Sequence, residues 1–219
     1  MPYTLRLRFR TLTIYLVLAI LMITMLITIS QYRNFNDNVG FLKYKQDYVG
    51  NRIWISAFYI HVFSCFVCLL AGFTQFSSFV LKETKNLHRI FGRVYAFNIL
   101  LINFPAGLIL ASCANGYVPA KIAFFTLDIL WFAFTLKGVS CIKKGNIEKH
   151  RDFMFRSYAL TLSALTLRVW KLVLTNFTDF NYESIYMIVS WIGFVPNLLL
   201  AEWIIQRRKR KLSLKPEIA

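Results

Sequence analysis

Long apolar runs alternate with short basic ones along the whole chain. A bilayer hydrocarbon core about 30 Å thick takes about 20 residues of α-helix. Six runs reach that length: 11–30, 53–75 (continuing toward Val80), 91–114, 119–142, 153–175 and 184–205. The pattern predicts an all-α, polytopic membrane protein with six transmembrane helices. Residues 1–52 would hold the first span and the one sizeable loop, 31–52, which is rich in Asn, Tyr and Asp. Residues 53–205 would form a five-helix core, and 206–219 a basic tail. The first run follows Arg6, Arg8 and Arg10, as a signal peptide would. It is too long for a signal h-region and no small-x-small cleavage site follows, so it reads as a permanent helix.

Composition agrees with that reading. The 219 residues are 57% apolar and 16% charged, with a net charge of +16 and a mean hydropathy of +0.51. A soluble domain averages about 25% charged residues, and a disordered chain has the opposite balance of hydrophobicity and charge. Nucleic-acid binding would need the cations on a water-facing surface. Here they cluster between apolar runs, which excludes nucleic acid as a partner and makes them topology signals. With the N-terminus in the cytoplasm, 19 of the 26 Lys and Arg residues fall on that side, so the positive-inside rule places both termini there. That set includes Lys82 and Lys215. The tail cations Arg207, Arg208, Lys209, Arg210 and Lys211 would also attract anionic lipid. The short loops leave no room for a soluble catalytic domain, so any chemistry belongs inside the bundle or at its rims.

All four cysteines, Cys65, Cys68, Cys113 and Cys141, lie within or at the ends of apolar runs. None sits in a polar extracellular loop, so a disulfide framework is not expected. Cys65 and Cys68 form a C-x-x-C inside a predicted span, where buried packing is the expected role rather than thiolate chemistry. An internal repeat is visible: His88, Arg89, Phe91, Arg93, Tyr95 and Ala96 correspond to His150, Arg151, Phe153, Arg156, Tyr158 and Ala159, with one extra residue in the second copy. Both copies open a helix running outward, which suggests parallel repeats of spans 3–4 and 5–6.

Ionisable groups inside spans cost several kcal/mol unless they are paired or face the protein, so they are functional candidates by default. Two layers emerge. By helix rise, His61, Asp128 and Arg168 lie roughly 10 to 13 Å below the outer ends of their helices and share one level. Asp128 and Arg168 are expected to pair, because each alone would be an uncompensated buried charge. His61 would bond to the carboxylate as a proton relay or ligand sensor does; a static salt bridge is the alternative. On the second span, His61, Cys65, Cys68, Gly72 and Gln75 form one small and polar stripe, and His150, Met154, Ser157, Thr161, Ala164 and Arg168 form another on the fifth. Such stripes let transmembrane helices approach closely.

The inner layer holds His88, Arg89, Arg93, His150, Arg151 and Arg156, with Glu202 as a partner for the deeper arginines. Two helix N-termini flanked by four arginines make an anion-attracting rim, suited to lipid phosphate, an anionic ligand or haem propionates. Interfacial snorkelling is the alternative. Metal chemistry is limited by three histidines, of which His61 is separated from the others by most of the bilayer, so a three-His zinc site is not expected. A haem b with two axial imidazoles needs only His88 and His150.

Several of these segments resemble a family of bacterial membrane proteins, domain of unknown function 2306. The likeness rests on His61, on Gly72, Phe73, Thr74, Gln75 and Phe76, and on His88 and Arg89 with Gly92, Arg93, Val94 and Tyr95. It continues through His150, Arg151, Met154, Arg156, Ser157, Tyr158, Ala159 and Leu160, then Thr166, Leu167 and Arg168, and ends on Trp191, Asn197 and Glu202. Phe155 departs from the expected pattern. The resemblance covers 53–205 and implies a bacterial inner-membrane protein without an established activity. Three readings follow: a haem-binding electron-transfer protein using the inner residues, a proton-coupled permease using His61, Asp128 and Arg168, or a structural assembly factor. The paired inner histidines favour the first.

Overall fold

The structure is a computed structural model that describes the backbone of residues 3–75 and 83–213, and the side chains of these apart from 3–11 and 14. The expected continuation toward Val80, the family-motif residue Phe76, and Lys82 and Lys215 lie outside the described residues, as do the side chains of Arg6, Arg8 and Arg10. Among the described residues every regular element is helical. In order they are α1 (Tyr3–Ser30), a 3-10 turn (Gly40–Tyr44), α2 (Gln46–Val49), α3 (Arg52–Gln75), α4 (Lys85–Phe97), a π-helical segment (Asn98–Asn103) and α5 (Phe104–Ser112). There follow α6 (Tyr117–Lys143), α7 (Ile147–Thr161), α8 (Ser163–Phe177), α9 (Tyr182–Ile192) and α10 (Val195–Ser213).

The chain divides into two compact units, residues 1–55 and 56–219. In the first, the segment read from sequence as a loop is a folded cap. The hydroxyl of Tyr32 accepts the Phe41 amide at 2.9 Å, the Gln46 amide donates to the Asp37 and Leu42 carbonyls, and Lys45 is buried over the rings of Phe41 and Tyr48. A desolvated ammonium on aromatic faces is worth about 2 kcal/mol.

Among the described residues four helical stretches are long and apolar enough to cross a membrane: Arg52–Gln75, Lys85–Ser112, Tyr117–Lys143 and Tyr182–Ser213. Of the six expected spans, the first has a shorter described apolar part, Tyr15–Ser30. The fifth, expected as one helix, is divided into α7 and α8 at Leu162.

Three helices are interrupted, each for a local reason. Pro105 has no N–H for the Leu101 carbonyl and its ring crowds that turn; the widened π turn just before it accommodates the misfit. Asn98 and Asn103, five residues apart, match that turn and bond to each other at 2.6 Å. At Leu162 the Thr161 and Thr166 hydroxyls lie 3.1 and 3.2 Å from the Ser157 and Leu162 carbonyls one turn back, a placement that goes with bent helices. At the α9–α10 bend Pro196 has no N–H for the Ile192 carbonyl, and the neighbouring Gly193 carbonyl takes the Thr166 hydroxyl at 2.5 Å and the Asn197 side-chain amide at 3.3 Å. Lipid offers no such partners, so freed backbone groups must be met by neighbouring helices. Thr166 therefore joins the α7–α8 bend to the α9–α10 bend. A β-carbon at Gly193 would stand 3.0 Å from Leu167 Cβ and 2.8 Å from the Val189 carbonyl, so a glycine is what permits this approach.

The core gathers Cys68, Ala71, Tyr95, Ile99, Ala123, Trp131, Tyr158, Leu160 and Phe194. A buried polar network runs through it. Tyr95 bridges Ser157 at 2.9 Å and Thr161 at 2.7 Å; the Trp131 indole donates to Thr161 at 2.9 Å; Thr135 meets Ser157 at 2.7 Å and donates to the Trp131 carbonyl. Because Thr135 donates to a carbonyl, Ser157 donates to Thr135 and Tyr95 to Ser157. The chain ends on backbone and locks α4, α6 and α7 together.

Candidate functional site

His88 and His150 are each the fourth residue of their helices, α4 and α7. The Asn146 side chain caps α7 by accepting the Lys149 amide at 3.0 Å. One turn on, His150 Nδ1 lies 2.8 Å from the Gly138 carbonyl of α6. A carbonyl only accepts, so Nδ1 carries the proton and Nε2 of the neutral ring keeps its lone pair. This is the arrangement that orients imidazoles at metal centres. Among the described residues His88 Nδ1 is buried without a hydrogen-bond partner, and the two histidines lie within electrostatic range of one another. Arg89, Arg93 and Arg151 are exposed, and among the described residues none of them is in an ion pair.

Arg156 meets the partner expected for it: it grips Glu202 through two hydrogen bonds, from Nε to Oε1 and from Nη2 to Oε2, the latter at 2.9 Å. Its guanidinium also lies over the Phe134 and Phe153 rings, 5.9 and 5.3 Å from their centroids. A bidentate, stacked guanidinium is committed to its carboxylate.

Sequence reasoning missed Asp152, which is buried and accepts from Arg208 and from Lys209, the latter at 3.1 Å. Asp152 and Arg156 on α7 thus face Arg208 and Glu202 on α10 as reciprocal pairs. Opposite charges four residues apart on one helix were the available signal.

The second polar cluster lies deeper in the bundle. On α3, Cys65 Sγ is 3.4 Å from His61 Nε2 and donates to Asn103 Oδ1 at 2.9 Å. Asn103 also reaches Cys68 Sγ at 3.8 Å, and Asn98 donates to the Ser64 carbonyl at 3.1 Å. Both cysteines are thiols. The π segment is thereby fastened to α3 by two asparagines that sequence reasoning passed over. Their five-residue spacing ahead of Pro105 was the signal.

Asp128 is 6% exposed, and among the described residues its Oδ2 has no hydrogen-bond partner. The carboxylate rests against Gly107, where a β-carbon would stand only 2.7 to 2.8 Å from Oδ1, Cγ and Oδ2. The charge of Arg168 reaches His61 and Cys65, and that of Asp128 reaches Cys65. The expected buried pair does not form as drawn. Arg168 is exposed, its Nη1 donates to the Ala164 carbonyl at 2.5 Å, and Asp128–Arg168 is not among the ion pairs of the described residues. The physical reason is its position on the exposed side of α8, where the guanidinium turns back along its own helix.

Residues 58–205 match the family described as Predicted membrane protein (DUF2306). The chain belongs to this family. With four helices of spanning length, this DUF2306 member is a multi-pass membrane protein. The match takes in both polar clusters, from His61 to Glu202, and leaves out Arg208 and Lys209. No curated protein and no solved structure matches the chain.

Proposed function

We propose that this DUF2306 protein is a six-span protein of the bacterial inner membrane, with both termini cytoplasmic, that carries electrons through a haem b held by His88 and His150. The observation that supports it most is the state of the two imidazoles. His150 is fixed through Nδ1 on the Gly138 carbonyl with Nε2 left to bind, and His88 has a buried ring nitrogen that lacks a partner among the described residues. Burying a polar nitrogen unpaired costs about 1 to 3 kcal/mol, and a bound group at this end of the bundle would remove that cost.

Two imidazoles are the donor set of a low-spin haem iron. When bound, haem supplies reversible one-electron chemistry. The chain's own residues would do the rest: His88 and His150 ligate, the Gly138 carbonyl sets the His150 ring, and Arg89, Arg93 and Arg151 meet the anionic arms. Asp152 and Glu202 tie α7 to α10, so the helix bearing His150 is held at two levels.

The absorption spectrum of the full-length protein, purified in detergent after expression with ample haem precursor, tests the reading. A Soret band that sharpens on reduction, disappears in His88→Ala and in His150→Ala, and survives in His61→Ala is expected. A wild-type protein without a Soret band overturns the assignment.

A further inference from the structure

Asp128 plays no part in the haem reading, and its surroundings point to a separate activity. We propose that Asp128 is a proton-binding site in the membrane interior, loaded past His61. The proposal stands on geometry. The side chain projects from the middle of α6 into the bundle and is more than nine-tenths buried, and among the described residues its Oδ2 has no hydrogen-bond partner. The ion pairs Arg156–Glu202, Arg208–Asp152 and Lys209–Asp152 do not include it. The carboxyl group is seated on Gly107, whose missing side chain leaves room for its two oxygens and little more.

An ionised carboxylate in such a place is an uncompensated charge in a low dielectric. A proton removes the charge and turns the acceptor-only carboxylate into a donor as well. The groups on the neighbouring helices suit proton delivery better than fixed pairing. On α3, Cys65 feels the Asp128 charge, and His61 lies 3.4 Å from Cys65. On α8 is Arg168, whose charge both of them feel. Tyr95 on α4 and Tyr158 on α7 are bound up in the core, Tyr95 through Ser157 and Thr161 and Tyr158 through the Leu69 carbonyl. On α9, Tyr186 packs on Phe124 of α6, and Glu183 accepts the Gly116 amide at 2.7 Å, near the far end of α6. Of these, His61 carries two ring nitrogens, so it can take a proton on one side and give one up on the other, and it is half-buried rather than sealed. The Tyr95–Ser157–Thr135 chain ends on a carbonyl and offers no second route.

Infrared spectroscopy of the full-length protein in phosphatidylcholine–phosphatidylglycerol vesicles tests the proposal. At neutral pH a protonated-carboxyl C=O band is expected that is lost in Asp128→Asn, displaced in Asp128→Glu and unchanged in the exposed-loop control Asp37→Asn. The shift of that band on transfer to deuterium oxide should slow at least tenfold in His61→Phe. Absence of the band in wild type, or its persistence in Asp128→Asn, overturns the proton site. Exchange at the wild-type rate in His61→Phe overturns the route. If Asp128→Asn does not reconstitute, the wild-type band and its displacement in Asp128→Glu decide the matter. None of these readings depends on haem being bound.

Discussion

Replacing Thr161 with Val removes one oxygen from the centre of the bundle and exchanges it for a methyl of similar size, so the expected loss is electrostatic rather than a cavity. In the native protein Thr161 takes the Trp131 N–H at 2.9 Å and meets the Tyr95 hydroxyl at 2.7 Å. After Thr161→Val, Tyr95 keeps Ser157, but the indole N–H is left buried without an acceptor. An orphaned donor costs about 1 to 3 kcal/mol. Tyr95→Phe is the informative contrast. It deletes two hydrogen bonds and strands nothing, because Ser157 keeps Thr135 and Thr161 keeps Trp131. Hydrogen bonds between transmembrane helices average about 0.6 kcal/mol, with a maximum of about 1.7, so Tyr95→Phe should cost about 1 kcal/mol and Thr161→Val about 2 to 3. Reversible unfolding in mixed micelles, followed by far-ultraviolet circular dichroism, measures both. In a Trp131→Phe background the cost of Thr161→Val should shrink by about 1 kcal/mol, since no donor remains to be orphaned. If Thr161→Val proves no more destabilising than Tyr95→Phe, the account of this network as a lock anchored on Thr161 is wrong.

Gly107→Ala should destabilise by about 1 to 3 kcal/mol, the usual range for overpacking, because the new methyl would meet the Asp128 carboxylate at under 3 Å; the same unfolding assay should show the loss relieved in Gly107→Ala with Asp128→Ala and not in Gly107→Ala with Asp128→Asn. Arg208→Met should cost more than Asp152→Asn. The first leaves a buried carboxylate with only the exposed Lys209 beside it, whereas the second frees two cations that can turn to water; thermal denaturation in detergent reading the reverse order would contradict this. Asn103→Leu should release Cys65 and Cys68 from their shared partner, seen as faster labelling of both thiols by a membrane-permeant maleimide, and an unchanged rate would count against the π segment as their anchor.

The hydrophobic pattern disclosed an all-helical membrane bundle because spanning length and apolarity are properties of a contiguous stretch. It did not disclose where the helices bend. Pro105, Pro196 and the Thr161 and Thr166 hydroxyls are visible in the sequence, but a bend depends on what a neighbouring helix offers to the freed backbone. Thr166 meeting Gly193 across 27 residues is not a local signal. At the site, burial of Asp128 follows from its place in an apolar run. Its pairing with Arg168 did not follow, because equal depth says nothing about which side of α8 the arginine occupies. Arg156 was legible as a charged group one turn below the rim, and Glu202 as its partner. The commitment of that pair to each other, and the clamp on Asp152, appear only once α7 and α10 are seen side by side.

Low-temperature electron paramagnetic resonance of the oxidised, haem-loaded protein reads out whether His88 and His150 bind one group between them. The expected result is a low-spin ferric signal of bis-imidazole type that turns high-spin when either His88 or His150 is replaced by Ala and stays low-spin in His61→Ala. A high-spin wild-type signal, or a low-spin signal that outlasts the loss of either histidine, would contradict it.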